Sequence, residues 1–541
     1  MKAQCLPFSQ IPHTTALFSD FLAGSTQASQ FYPRSGQFST WFRDAAEELK
    51  YDSVRRGQVA AILEKQNRSW GASPQTLANL ARLRGGACAF VTGQQVGLFG
   101  GPLFTILKAL TAIKFADEAC RGGIDCVPIF WLANEDHDLA EVNHVSILSS
   151  DSALQTLTTP THAGGDAQVG SIVFGQEIVP EFEQAAQLLG ESEITQIIRE
   201  AYRPGESFGS AFARLFARLF ANWGLILLDG SDAELRKIAQ PMFRTAIERA
   251  GELGEALLGR GRALEAAGYH QQVKVSTSST LLFAIQNGAR LPIHRRSNGR
   301  STTEFAIGED QLDLSELLSR IDKAPENFSP NVLLRPVVQD YLLPTLAYAG
   351  GPAEVAYFAQ CGVVYQALVG KVTPVVSRLS ATLIADKAQA LLECYGLTFS
   401  DLFEGANAVQ ERSAARTIPP DLRAAFESAS QDLDRSLERI RTAIAKLDLT
   451  LVAASTTAAS KMHHQINRLR GKAARAELAR NELVGRHAEF LANTLYPRKT
   501  LQEREIAGAY FLARYGLGLL TYLHDSLRTD CLDHQLIRVS F

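Results

Sequence analysis

An excess of charge of one sign is absent from this sequence. Its 541 residues carry 54 Lys and Arg against 57 Asp and Glu, a formal net charge of -3. A chain devoted to coating nucleic acid shows a basic excess at least over one region, so no nucleic-acid partner is expected. No run of about 18 uncharged apolar residues occurs, which excludes a membrane-spanning helix. The opening residues, Met1-Lys2-Ala3-Gln4-Cys5-Leu6-Pro7, hold one cation and no apolar stretch, unlike a secretory signal. Cysteine is scarce and scattered, with seven residues at 5, 88, 120, 126, 361, 394 and 531. An odd number without a Cys-x-x-Cys pair predicts neither a disulfide framework nor a cysteine-built zinc site, and points to the reducing cytoplasm. What remains is ordinary globular material, 46% hydrophobic and 21% charged. At roughly 150 residues per domain it is long enough for three or four domains.

The apolar run Cys88-Ala-Phe-Val-Thr92 leads into Gly93-Gln-Gln-Val-Gly-Leu-Phe-Gly-Gly-Pro102. A helical pattern follows from about Leu103 to Ala119, with Leu103, Ile106, Leu107, Leu110, Ile113 and Ala116 on one face. A second run, Val127-Pro-Ile-Phe-Trp-Leu132, ends in Asn134-Glu-Asp-His-Asp138. Strand, glycine turn, helix and strand in succession make a βαβ unit with parallel strands. Three more apolar runs close on polar or glycine-rich turns: 224–228 before Asp229-Gly230, 344–348 before Gly350-Gly351-Pro352, and 373–377 before Arg378-Leu-Ser380. Carboxyl ends of strands in an open α/β sheet look like this, and ligands bind there. Asn287-Gly288 between two alternating runs predicts an antiparallel hairpin inserted in the core.

From Asp421 to Leu495 there is no proline. Leu433, Leu437, Ile440, Ile444, Leu447 and Leu451 recur at alternating steps of four and three, the spacing of a coiled-coil seam. Asp448-Leu449-Thr450 is placed to cap a second helix. Acids dominate 421–440 and cations 461–480, so the two arms suit antiparallel pairing. The predicted division is 1–150 core, first part; 151–210 connective insertion; 211–240 core strand and helix; and 241–329 insertion with the hairpin. Then come 330–390 core, last part; 391–500 helical coiled-coil domain; and 501–541 a C-terminal helical segment packing back on the core.

Four constellations carry chemistry. The turn around Gln94 and Gln95 has glycines at 97, 100 and 101 that let the backbone approach a ligand, with amides at a helix start suited to an anion. It matches neither Gly-x-Gly-x-x-Gly nor a P-loop. Glu135, Asp136, His137 and Asp138, with Glu141, Asn143 and His144, form a dense titratable cluster suited to proton transfer. His137, Asp138, Glu141 and His144 would share a helix face, but the spacing fits no established zinc motif, and no metal is assigned. A helix-capping role for Asp136 or Asp138 is the plain alternative. After Gly350-Gly351, Pro352 opens a helix with Glu354 and Tyr357 on one face. Finally, Arg378 and Ser380 offer a cation and a hydroxyl at the end of the last core strand.

Together these blocks resemble the bacillithiol biosynthesis cysteine-adding enzymes, the BshC family. The residues that carry the resemblance are Phe90 to Lys108, Val127 to Asp138 with Glu141-Val-Asn-His144, and Leu334 to Asp340. Gly350 to Tyr357, Arg378 to Ser380 and Leu501-Gln-Glu-Arg504 complete the set, in family order along nearly the whole chain. The resemblance implies an α/β fold with a Rossmann-like parallel-sheet core, related to class I synthetases, plus connective insertions and a long α-helical coiled-coil domain. It implies a ligase that joins L-cysteine to the amino group of glucosaminyl-malate, working as a homodimer through the coiled coil. ATP is implied by analogy with related folds. On that analogy Gln94, Gln95 and the amides around Gly97, Gly100 and Gly101 face phosphates, and Arg378 and Ser380 neutralise charge during transfer. His137 or His144 takes a proton from the attacking amine, oriented by Asp136 or Asp138, while Glu135, Asn143, Glu354 and Tyr357 hold substrate. Related synthetases carry histidines in the first turn and lysines in the last loop, where this chain has glutamines and one arginine. Adenylate, phosphate or a pre-activated donor all stay open. Two other readings stand beside this one: a nucleotide-binding enzyme acting on another carboxylate, and a coiled-coil assembly protein with a vestigial core.

Overall fold

In a computed structural model, residues 4–540 are described apart from 35, 137, 161–166, 298–302, 418–419, 449–450 and 481. Five short apolar runs form one sheet: β1 (Cys88–Gln94), β2 (Cys126–Leu132), β3 (Ile226–Asp229), β4 (Thr345–Gly350) and β5 (Val375–Ser377). The strand order is β5-β4-β1-β2-β3, and every pairing is parallel. Parallel strands are covered on both faces, which is why β2 reads as an unbroken apolar run with all seven residues buried. Alternate residues feed two separate cores. Val91, Ile129, Trp131 and Leu228 face one, and Phe90, Phe130, Leu132 and Leu227 face the other.

Helix α1 (Leu103–Arg121) packs its apolar side on the second of these cores, and α2 (Pro352–Leu368) packs on the first. The chain adds strands outward from β1 in one direction, then returns to lay β4 on the other side of it. This reversal between β1 and β4 is the topological switch point of a doubly wound sheet, and ligands bind outside the strand ends there.

The insertion at 241–329 contains the predicted hairpin, Ser279–Gln286 paired antiparallel with Ala289–Ser297. Asn287 and Gly288 both have positive φ (52° and 81°), as a two-residue hairpin turn requires. Three further strands extend it to a five-stranded antiparallel sheet. Helices α3 (Pro420–Leu447) and α4 (Leu451–Arg480) pack together, with His463 bonded to Asp434 at 2.8 Å and Arg470 over the Phe426 ring. The arms of opposite charge therefore lie side by side. Of the proposed second-helix cap, Leu449 and Thr450 lie outside the described residues.

The last segment departs from expectation in one respect. Its helices Gln502–Glu505 and Gly508–Tyr515 do pack on α1, but it ends in a strand, His534–Val539. That strand lies between Ser380–Ala385 (parallel) and Gln4–Leu6 (antiparallel). This pairing brings Cys5 to Cys531, which form a disulfide across 526 residues of sequence. The bond runs against the expectation of a chain without disulfides. Odd number and wide spacing carry no information about partners that only a closing sheet juxtaposes. Among the described residues no helix is long and apolar enough to cross a membrane.

Candidate active site

At the switch point, Lys108 from the second turn of α1 reaches back to the end of β1. Its ammonium donates to the Gly93 carbonyl at 2.6 Å and to Gln94 Oε1 at 2.9 Å, and pairs with Glu354 Oε2 at 2.5 Å. Burial pushes this lysine down to about 8 despite the attraction of Glu354. Glu354, in the first turn of α2, also accepts the Tyr348 hydroxyl at 2.6 Å and the Gly351 amide at 2.7 Å. Burial raises a carboxyl, but Lys108 and the Gly351 amide outweigh it, so Glu354 sits below its ordinary value and stays ionised. Arg335, on the helix Arg335–Leu342, donates to the Tyr357 hydroxyl at 3.0 Å and lies 5.4 Å from the centre of the Tyr348 ring. Glu354 and Tyr357 thus belong to one cluster with Gln94, bound through Lys108 and Arg335.

On the β2 side, Gln95 Nε2 donates to Asp136 Oδ2 at 2.6 Å and to Glu141 Oε2 at 2.7 Å. The glutamine pair therefore bridges two groups of charged residues along the same sheet edge. Gln94 turns to Lys108, and Gln95 turns to the acidic loop. Other members of that loop have different duties. Glu135 is buried and ion-paired with Arg236 at 2.8 Å, which ties the loop to the helix Ala233–Glu248. Asp138 caps the short turn Leu139–Glu141 by accepting the Glu141 amide, the plain capping role. The expected helix face does not form. After that three-residue turn, His144 opens a strand, is exposed, and donates from Nδ1 to the Ala140 carbonyl at 2.9 Å. The alternation of Val145 and Ile147 with polar neighbours favours a strand over continued helix. Asn143 serves the turn with its main chain, bonded to Leu139 and Thr159. His137 lies outside the described residues. Among the described residues no three His, Cys, Asp or Glu are grouped so as to hold a metal ion.

The glycine turn also differs from its expected part as an open cradle of amides. Gly97 N–H donates to the Gln95 carbonyl, and Leu98 N–H to Val142. Gly101 donates to Leu98, and Gly100 to both Gly97 and the Tyr202 hydroxyl. With the amides of Gly97, Leu98, Gly100 and Gly101 used and residues 96–101 buried, the turn is a tight strand-to-helix connection. Gly100 is required there by its φ of +89°, and a Cβ would also come 3.0 Å from Leu215.

At the end of β5, Arg378 donates its backbone amide to the Gly350 carbonyl at 2.9 Å, and its side chain lies 5.3 Å from the Phe104 ring centre. Arg504 approaches the same ring at 5.9 Å. Arg378 Nη2 bonds Glu503 Oε1 at 2.6 Å. Ser380 is buried and faces inward. Its hydroxyl donates to Glu503 at 2.8 Å and lies 2.7 Å from His534 Nδ1. Burial pushes His534 down to about 4, which leaves the ring neutral.

Reading the sequence did not single out Lys108, Arg335, Glu503 or Arg504 as site residues. Lys108 had a signal, being the one charge in the apolar helix between Leu103 and Ile113. Glu503 had none beyond its place in a matching block.

Two family models cover the chain. One, described as "Bacillithiol biosynthesis BshC, N-terminal Rossmann-like domain", matches residues 1–379, and the other, "Bacillithiol biosynthesis BshC, C-terminal coiled-coil domain", matches 381–539. The chain belongs to the BshC family. Relatives in the family include proteins named "Putative cysteine ligase BshC". The one from Koribacter versatilis is 48% identical over 539 residues, covering 100% of both chains. That from Solibacter usitatus is 36% identical over 541 residues, again covering 100% of both. That from Salinibacter ruber is 34% identical over 531 residues, covering 97% of this chain and 96% of the relative. The boundary between the two BshC domain models falls beside Ser380, where β5 ends and the C-terminal sheet begins.

The residues present fit a phosphate-bearing group unevenly. The glycine turn has the amides of Gly97, Leu98, Gly100 and Gly101 committed, whereas Arg378 and Arg504 place two guanidiniums over one aromatic ring at the strand ends. An anion suits the second place and not the first.

Proposed function

We propose that this chain is the cysteine ligase of bacillithiol formation, joining the carboxyl of L-cysteine to the amine of glucosaminyl-malate as a homodimer in the cytoplasm, a placement that rests on the biosynthetic role because the Cys5–Cys531 bond withdraws the cysteine argument. The observation that carries the reading is the convergence of five separate family blocks on one sheet edge. Gln94 and Gln95, Asp136, Glu354, Arg378 and Arg504 come from distant parts of the chain to the carboxyl ends of adjacent strands.

Amide formation from a free carboxylate runs uphill in water, so the carboxylate needs an activating group. ATP, held at Arg378 and Arg504, supplies that activation when bound. The chain's own residues do the rest. Asp136, oriented by the Gln95 amide at 2.6 Å, takes the proton from the attacking amine. Four cations, Lys108, Arg335, Arg378 and Arg504, gather with Glu354 and Glu503 on the β5 side of the site, and this positive charge draws the malate carboxylates and phosphate oxygens. Tyr357 and Glu354 hold the substrate's polar groups at the start of α2. The exposed apolar residues of the coiled coil, among them Ile440 (51%) and Leu447 (82%), support self-association there.

The test is to incubate the protein with glucosaminyl-malate, cysteine and ATP and follow the thiol product by mass spectrometry. Product from wild type, with Asp136→Asn and Gln95→Ala each lowering turnover by about 100-fold, is the expected result. Absence of product from wild type overturns the reading.

A further inference from the structure

Glu503 belongs to the C-terminal domain, yet its carboxylate lies against the end of the last core strand. It is fully buried (0% exposed) and accepts three hydrogen bonds: from Arg378 Nη2 at 2.6 Å, from the Ser380 hydroxyl at 2.8 Å and from the Ala381 amide at 2.8 Å. Its neighbour Gln502 sews the same short helix to the strand Ser380–Ala385. Gln502 Oε1 accepts the Leu383 amide at 2.8 Å, and Nε2 donates to the Leu383 carbonyl at 2.9 Å.

A buried ion pair of this kind adds little net stability, because desolvating both charges cancels much of the attraction. Apolar packing would join two domains as well. What the pair does accomplish is to hold one guanidinium in a single place. Arg378 is under pressure to leave, since Arg504 shares the Phe104 ring with it and Lys108 lies close by. Glu503 offsets that repulsion from behind. Arg378 Nη1 donates to the Leu379 carbonyl at 3.1 Å, and Nε is left beside the start of α2, 3.4 Å from the position a Gly351 Cβ would take.

We propose that Glu503 is a positioning residue, a carboxylate contributed by the C-terminal domain that aims Arg378 at the anionic substrate in the crevice of the N-terminal domain. This rests on the ligase reading given above. The core site is then complete only when the C-terminal segment is docked, which gives the second domain a part in binding as well as in assembly.

A double-mutant cycle in the full-length protein tests this, reading kcat/KM for product and the Kd values for glucosaminyl-malate and ATP by calorimetry. Glu503→Gln keeps the shape and removes the charge. It is expected to lower kcat/KM by about 10-fold or more and to weaken binding, while in an Arg378→Ala background it changes either by less than about two-fold. If Glu503→Gln does not fold, Glu503→Asp carries the same comparison, keeping the charge but drawing it back from Arg378. Additive losses, or full activity in both Glu503 variants, make Glu503 merely structural and overturn the proposal. A wild type that neither forms product nor binds glucosaminyl-malate fails differently. It removes the ligase reading itself and this proposal with it.

Discussion

An ammonium with only 3% of its side chain exposed has to be met on every side, and Lys108 spends its three donors on Gly93, Gln94 and Glu354. Burial holds it near 8 against an ordinary 10.5. Between these values the unfolded chain keeps the proton and the folded chain does not, so this group makes stability rise with pH over that window. Function moves the other way. Loss of the proton removes the cation that joins the end of β1 to α2. Activity is therefore expected to decline above about pH 8 while the melting temperature does not fall through this group. Lys108→Arg, which stays charged, should move the alkaline limb of the kcat/KM profile upward. An unmoved limb would assign the titration to another group. Removing the charge altogether, as in Lys108→Met, strands Glu354 in the interior and should lower unfolding free energy by about 3–5 kcal/mol in urea titration.

At the scale of elements, the glycine turn shows how a motif built for approach can be used for packing. Its buried amides bond one another and Tyr202, and Gly100 sits at a φ that a side chain resists. Gly100→Ala should cost at least about 1 kcal/mol in urea denaturation, because the strained φ and the Leu215 contact both oppose the added methyl. All five core strands were legible in advance because parallel strands buried on both faces must be continuous apolar runs ending in turns. The hairpin was legible because Asn-Gly has few other uses between alternating segments. The acidic loop was not. The spacing of His137, Asp138, Glu141 and His144 predicts a shared helix face, yet Asp138 is spent as a cap and the adjacent Glu135 as a buried partner for Arg236. Local composition announces a cluster but cannot tell which members are already committed to residues a hundred positions away. The same holds for Ser380, whose partners Glu503 and His534 arrive from the far end of the chain.

For the molecule as a whole, the helical arm is the least self-sufficient part. Among its described residues, Ile440, Leu447 and Leu469 are 51%, 82% and 59% exposed, more than a paired seam would leave if two helices sufficed. Ile440→Glu with Leu469→Glu should convert a dimer to a monomer in sedimentation velocity while leaving the melting of the Rossmann-like core unchanged. A wild type that sediments as a monomer removes the homodimer reading. The core and the C-terminal segment, by contrast, are joined three ways: by the three-stranded sheet, by Glu503 with Arg378, and by the bond between Cys5 and Cys531. That last linkage makes everything between those two cysteines a covalent ring. A single cut in the helical arm would open the ring without releasing either piece, so the two halves of the catalytic framework would stay tethered, and the fold would tolerate there what in an open chain separates its domains.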